Sequence, residues 1–380
     1  MPIGYKEVND TKYIYFSYYD NDQKKKIEVY CGAANDQTAI KKAEALESEL
    51  LQKQISSLQT QLKEYDSGAV QQTGKNKSKS VRSSMQDNIE MHEYLKNAKI
   101  YDPEVFYKTS EHMDEVENNS IQLVVTSPPY NVGKGYIAYD DKKELQVYLD
   151  FLNGVWTECK KKLCDGGRIA INIADTWRSP YIPLHCYITK QLVDLGFKMR
   201  GVIYWDKGVS VGVSTAWGSW RSASNPTLRD VGEYILIFSK DNYKMERENK
   251  ISTITARQFT TYTKSLWTFP TVRSEDKDHP APFPEELPKR LILLYTYLGD
   301  TVLDPFLGSG TTCKVTKALG RKGIGYEIDP SYKSEIEDKI KKVESIGLSF
   351  DAFTANTKKA PTQASPMIPM ALRSPTNDSS

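Results

Sequence analysis

At 380 residues with 39% hydrophobic content, the chain can bury one large core and still carry a smaller second unit. Its net charge of +2 does not by itself mark a nucleic-acid binder, and its five scattered cysteines lack the paired short spacing of zinc sites or disulfide frameworks. No stretch approaches the roughly 18 apolar residues that cross a bilayer, and "MPIGYKEVNDTKY" lacks the apolar core of a secretion signal, so a cytoplasmic protein with no membrane partner is expected.

In chain order, residues 1–66 form a first unit. "TKYIYFSYYDNDQKKKIEVYCG" sets two aromatic and β-branched runs around a polar turn, which predicts a β-hairpin. A helix follows from Gln37 to about Tyr65, with Leu51, Ile55, Leu58, Leu62 and Tyr65 at steps of four and three. That stripe is either a short coiled-coil seam, which would make a homodimer, or a face packed on the hairpin. Residues 67–95 read as a flexible basic linker, and residues 351–380, rich in Pro, Ser and Thr, as a disordered tail. Between them, residues 96–350 alternate apolar strands ("IQLVVTS", "RIAINIAD", "MRGVIYWD", "EYILIFSK", "TVLDPF", "KGIGYEID") with amphipathic helices. This alternation predicts an α/β fold with a mostly parallel, doubly wound sheet.

One landmark in that region is "TVLDPFLGSGTTCKVTKALG": a strand, then Gly308, Ser309 and Gly310, then a helix opened by Thr311 and Thr312. Strand, glycine turn and helix N-terminus together make the nucleotide-binding corner of such sheets, because glycines let a ligand approach backbone N–H groups. Cys313 stands where a dinucleotide fingerprint has its third glycine, which argues against a pyrophosphate ligand. The next strand ends in Glu327, placed to hold a ribose diol. Asp329 follows, either within reach of an adenine or as a cap for the next helix.

The other landmark is "TSPPY", Thr126 to Tyr130, at the end of an apolar strand. Pro128 and Pro129 stiffen the loop and remove two N–H donors, so it presents acceptors: a main-chain carbonyl and the Ser127 hydroxyl. Acceptors suit an amino group. The exocyclic amine of a nucleobase is a poor nucleophile because its lone pair is delocalised into the ring; hydrogen bonds to Ser127 and the Pro128 carbonyl would draw the nitrogen toward tetrahedral geometry. Tyr130 offers a face on which an extruded base can stack.

Together "TSPPY" and "DPFLGSGTT" resemble the signature of S-adenosylmethionine-dependent DNA amino-methyltransferases. The catalytic loop precedes the cofactor loop, with "HPAPFPEELPKRLI" just before the latter, an order similar to the beta class of that family. The resemblance implies a Rossmann-like methyltransferase sheet in which Asp304, Phe306, Gly308, Ser309, Gly310 and Thr311 border the cofactor, Glu327 binds its ribose, and Asp329 reaches its adenine. It also implies that Ser127, Pro128, Pro129 and Tyr130 hold the target base. His279, Phe283 and Pro284 fall in the segment that in the family lies beside the methionine part of the cofactor. Serine at position 127 is more typical of enzymes acting on the N4 amino group of cytosine, whereas adenine-modifying relatives usually carry aspartate there. The implied partner is double-stranded DNA, in a restriction–modification role beside a cognate restriction endonuclease or as an orphan enzyme. No metal is expected, because the sulfonium supplies the electrophile.

Target recognition is expected within residues 206–275, where Trp217, Trp220, Arg221, Arg229, Arg257, Lys264 and Arg273 (the last two flanking "SLWTFPTV") offer aromatic and cationic groups for phosphates and base edges. Other classes fit less well. A C5-cytosine methyltransferase presents a thiolate, commonly after proline, and none of the five cysteines follows one. A dehydrogenase would have no use for a Ser-Pro-Pro-Tyr loop. An inert DNA-binding or assembly module would have none for the intact Ser127–Tyr130, Gly308, Gly310 and Glu327 set.

Overall fold

The computed structural model describes residues 3–8, 11–20, 25–33, 36–66, 99–131, 143–175, 180–208, 223–226, 228, 230–246, 250–271 and 284–343. The first unit is a three-stranded antiparallel sheet of β1 (Ile3–Val8), β2 (Thr11–Asp20) and β3 (Lys25–Ala33), followed by helix α1 (Gln37–Asp66). The expected hairpin is β2 and β3; β1 adds a strand on the far side of β2, running from Ile3 opposite Phe16 to Val8 opposite Thr11. Alternation along β2 turns Ile14 and Phe16 to one face, where they are buried with Ala39 and Ala43 from the start of α1. The side chains of Leu51, Ile55, Leu58, Leu62 and Tyr65 lie outside the described residues. No helix among the described residues is long and apolar enough to cross a membrane.

The second unit is a mixed α/β layer structure around an eight-stranded sheet. Its strands are β4 (Glu104–Phe106), β5 (Ile121–Thr126), β6 (Leu163–Ile173), β7 (Lys198–Asp206), β8 (Gly232–Ser239), β9 (Leu266–Thr268), β10 (Thr301–Asp304) and β11 (Lys322–Tyr326). They lie in the order β4-β11-β10-β5-β6-β8-β7-β9; β8 alone runs antiparallel to both of its neighbours. Among the described residues its helices are α2 (Leu145–Lys162), α3 (Leu184–Asp194), α4 (Ala256–Tyr262), α5 (Glu286–Tyr295), α6 (Thr311–Ala318) and α7 (Lys333–Lys341). This is the doubly wound, mostly parallel sheet that the alternating pattern predicts. β4, β9 and α4 were not expected, because elements of three to seven residues are too short to show a periodicity.

Central strands of such a sheet are apolar on both faces, and β5 obeys: Leu123, Val124 and Val125 are all fully buried. Successive side chains then feed two cores. Val124 joins Trp156 and Leu152 of α2 and Ile188 of α3, while Leu123 and Val125 join Leu291 of α5 and Val315 of α6. From β5 the chain moves outward to β6; from β10 it moves the opposite way to β11. The switch point therefore falls between β5 and β10, and in open α/β sheets the crevice at the carboxyl ends of such strands is where ligands bind.

Candidate active site

The two sequence landmarks meet at that crevice. Val302 and Leu303 of β10 pair in parallel with Leu123 and Val124 of β5, so "DPFLGSG" and "TSPPY" leave the sheet side by side. Thr126 Oγ1 donates to Asp304 Oδ1 at 2.7 Å. Asp304 also accepts from Thr312 Oγ1 at 2.6 Å and from the Phe306 N–H at 3.1 Å. It is fully buried, and desolvation pushes its pKa up to about 6 despite those three bonds. Asp304 thus sits behind the glycine turn and ties both loops to one point. The Phe306 ring is half-buried and packs edge-on to Phe151 and Trp156.

The turn itself needs its glycines. Gly308 and Gly310 adopt φ of 55° and 85°, and Gly310 is the residue just before α6, leaving the helix N-terminus uncovered by a side chain. A Cβ on Gly310 would lie 3.2 Å from two Ile336 carbons, so that glycine serves packing against α7 as well as access. Ser309 and Thr311 are buried in the same turn. Across from it, Glu327 accepts from the Gly308 N–H at 2.7 Å and the Asp329 N–H at 2.9 Å. Burial raises the Glu327 pKa, and these backbone bonds oppose the rise. Asp329 caps the short 3-10 turn Pro330–Tyr332 by accepting from the Ser331 N–H at 2.9 Å, the capping role that stood as one of its two readings.

On the other side of the crevice, the Tyr148 hydroxyl donates to the Pro129 carbonyl at 2.7 Å and anchors the proline pair to α2. Asn131, in the left-handed region at φ 56° and almost fully buried, exchanges hydrogen bonds with the Lys143 backbone and so closes the loop base. Tyr130 does not merely offer a ring. Its hydroxyl lies 2.9 Å from Ser127 Oγ, donates to Glu233 Oε2 at 2.9 Å and accepts from Asn172 Nδ2 at 3.0 Å. Glu233 is held on its other oxygen by Lys207 at 2.6 Å. Burial first, and the neighbouring Glu233 charge second, hold the Tyr130 proton well above the usual phenol range.

Asn172, Lys207 and Glu233 escaped the sequence reading. A signal existed: Asn172 interrupts the apolar run of β6, and Glu233 opens the apolar run of β8. A second polar cluster at the same sheet end joins His185 Nδ1 to Asp175 at 2.7 Å, with the imidazole stacked 4.1 Å from the Tyr234 ring. Of the expected DNA-facing residues, Arg257 on α4 and Lys264 just after it are exposed. Pro284 is buried just before α5, which starts at Glu286. Trp217, Trp220, Arg221, Arg229, Arg273, His279 and Phe283 lie outside the described residues.

A family model described as DNA methylase, of the N6/N4 methyltransferase type, matches residues 121–338, which holds both loops and the network between them. The chain belongs to this DNA methylase family. Among its relatives, the type II methyltransferase M.MjaI of Methanocaldococcus jannaschii is 33% identical over 294 residues, 66% of this chain and 96% of that protein. The DNA adenine methyltransferase YhdJ of Escherichia coli K12 is 31% identical over 237 residues, 58% of this chain and 76% of its own. Among solved structures, that of TTHA0409 from Thermus thermophilus, complexed with S-adenosyl-L-methionine, superposes on this DNA methylase with a TM-score of 0.52 at 27% identity, covering 64% of this chain and 96% of that one.

Proposed function

We propose that this DNA methylase transfers a methyl group from S-adenosylmethionine to the exocyclic N4 amino group of a cytosine extruded from duplex DNA. The observation that carries the reading is the juxtaposition of the Ser127–Tyr130 loop with the Gly308–Gly310 turn across the paired ends of β5 and β10, joined by the Thr126–Asp304 bond. The residues fit the cofactor. Glu327 spends one lone pair of each oxygen on a backbone N–H and keeps the others for a ribose diol. The turn before α6 carries no side chain at positions 308 and 310, so a ligand can come close to its backbone, while the Gly308 N–H holds Glu327 in place. When bound, the cofactor supplies an electrophilic methyl group on a sulfonium.

What the chain supplies is alignment and polarity. Ser127 accepts a hydrogen bond from the target amine, which lessens delocalisation of its lone pair into the ring. The proline pair, fixed by Tyr148, holds that oxygen in place, and the Tyr130 and Phe306 rings pack on the core beside it. The N4-cytosine assignment rests on the neutral serine at position 127; YhdJ, a relative named as an adenine methyltransferase, makes N6-adenine the competing outcome. Mass spectrometry of nucleosides from DNA treated with the purified protein and labelled cofactor decides between them. N4-methylcytosine is expected; N6-methyladenine alone overturns the base assignment, and no incorporation on any duplex overturns the activity. Ser127→Ala is expected to lower turnover far more than cofactor affinity.

A further inference from the structure

Ser127 is neutral and amphoteric: its hydroxyl can donate or accept, and only as an acceptor does it help the target amine. Something must choose. Glu233, near the start of β8 and only 8% exposed, is two strands away from Ser127 and is joined to it through the Tyr130 hydroxyl oxygen.

We propose that Glu233 is a positioning residue for methyl transfer, which through Tyr130 turns the Ser127 proton inward so that the Ser127 oxygen meets the target amine as an acceptor; the inference rests on the role given to Ser127 above. The number of protons available fixes the direction of each bond. An ionised carboxylate only accepts, so the Tyr130 proton points to Glu233 Oε2. A phenol has one proton. With it spent, the contact at 2.9 Å between Tyr130 and Ser127 requires Ser127 to donate. Asn172 Nδ2, 3.0 Å from the phenol oxygen, is a second donor to the same atom and reinforces that polarity. Of the two Ser127 lone pairs, one has the Asn172 amide 3.5 Å away and the other is left for the target amine. Lys207, 2.6 Å from Glu233 Oε1, supplies the opposite charge to the buried carboxylate, and the Asn172 amide donates to its Oε2. Were residue 233 a donor, every proton in the chain would reverse, and Ser127 would point its hydrogen at the hydrogens of the amine.

The test uses the full-length protein on duplex DNA, with Glu233→Gln, Tyr130→Phe, the double variant and Lys207→Met. Glutamine keeps the shape of residue 233 but brings a donor. Single-turnover methyl transfer in Glu233→Gln is expected to fall about tenfold or more, with cofactor and DNA affinities within about twofold of the wild type. Tyr130→Phe cuts the relay, so adding Glu233→Gln to it should cost no further rate beyond about twofold. Lys207→Met reaches the same relay from outside and should show the same selective fall in the chemical step. A Glu233→Gln or Lys207→Met rate equal to wild type, losses that multiply in the double variant, or a fall in affinity without a fall in rate each overturn the proposal. An active wild type with an indifferent Glu233→Gln defeats this inference alone, whereas a wild type that methylates no duplex defeats the functional reading beneath it.

Discussion

Thr126 and Asp304 meet through a 2.7 Å hydrogen bond although 178 residues separate them along the chain. Each ends a buried parallel strand, β5 and β10, and each leads directly into one half of the candidate site. The distance between the Ser127 oxygen and the glycine turn is therefore set by sheet pairing plus one buried side-chain bond, not by two independently mobile loops.

Asp304 should leave a signature in the pH dependence of stability. Its native pKa of about 6 lies above the ordinary 3.8, so between these values the native state binds the proton that the unfolded state has already lost. Stability from this group is present below the unfolded pKa and is lost as pH rises to about 6, a change on the order of 3 kcal/mol. Asp304→Asn removes it. Urea unfolding of both proteins from pH 4 to 7 should give a difference curve that slopes over pH 4–6 and is flat above; a flat curve throughout would show that burial does not raise this pKa.

Gly310→Ala should destabilise the protein by about 2 kcal/mol, from the left-handed backbone that alanine resists and from the tight approach to Ile336. Denaturant unfolding measures this. Loss of cofactor binding with wild-type stability would mean that Gly310 serves the ligand and not the α6–α7 contact.

Arg290 of α5 lies over three rings at once, with its guanidinium 4.9 Å from Tyr262, 5.1 Å from Trp267 and 4.7 Å from Phe269, and Nε donates to Glu286 at 2.9 Å. It pins α4 and β9 to α5. Arg290→Met keeps much of the stem but loses the cation–π and ionic contacts, and should cost about 2 kcal/mol, seen first as faster hydrogen exchange in residues 256–269. Unchanged exchange there with wild-type stability would remove Arg290 as the pin.

The cysteines should separate by reactivity. Cys186 is exposed, Cys164 is half-buried, and Cys31, Cys159 and Cys313 are buried, with desolvation pushing the Cys159 and Cys313 thiols far up. Alkylation of the native protein followed by peptide mass mapping should mark Cys186 first, and Cys159 and Cys313 only in denaturant. Early labelling of Cys313 would contradict the packing of α6 against the sheet.

The strand-forming runs, the glycine turn before α6 and the stiff proline loop after β5 are all legible in the sequence, because each depends on local pattern: apolar periodicity, φ that only glycine adopts cheaply, prolines that remove donors. The parallel sheet was legible too, since strands alternating with helices can bury both faces in few other ways. The limits of local pattern are equally physical. β4 and β9 are three residues long and exist only because Tyr326 and Trp205 give them partners. Asp329 reads from the sequence as an adenine contact or a cap, and only the fold shows that its Oδ1 accepts from the Ser331 N–H, a bond in which Oδ2 takes no part. Above all, Glu233 and Asn172 read as stray polar residues in apolar strands; only the strand order β5-β6-β8 brings them to Tyr130. Local chemistry is written along the chain, but which buried charge faces which hydroxyl is decided by pairing between strands far apart in it, and that pairing exists only in the folded sheet.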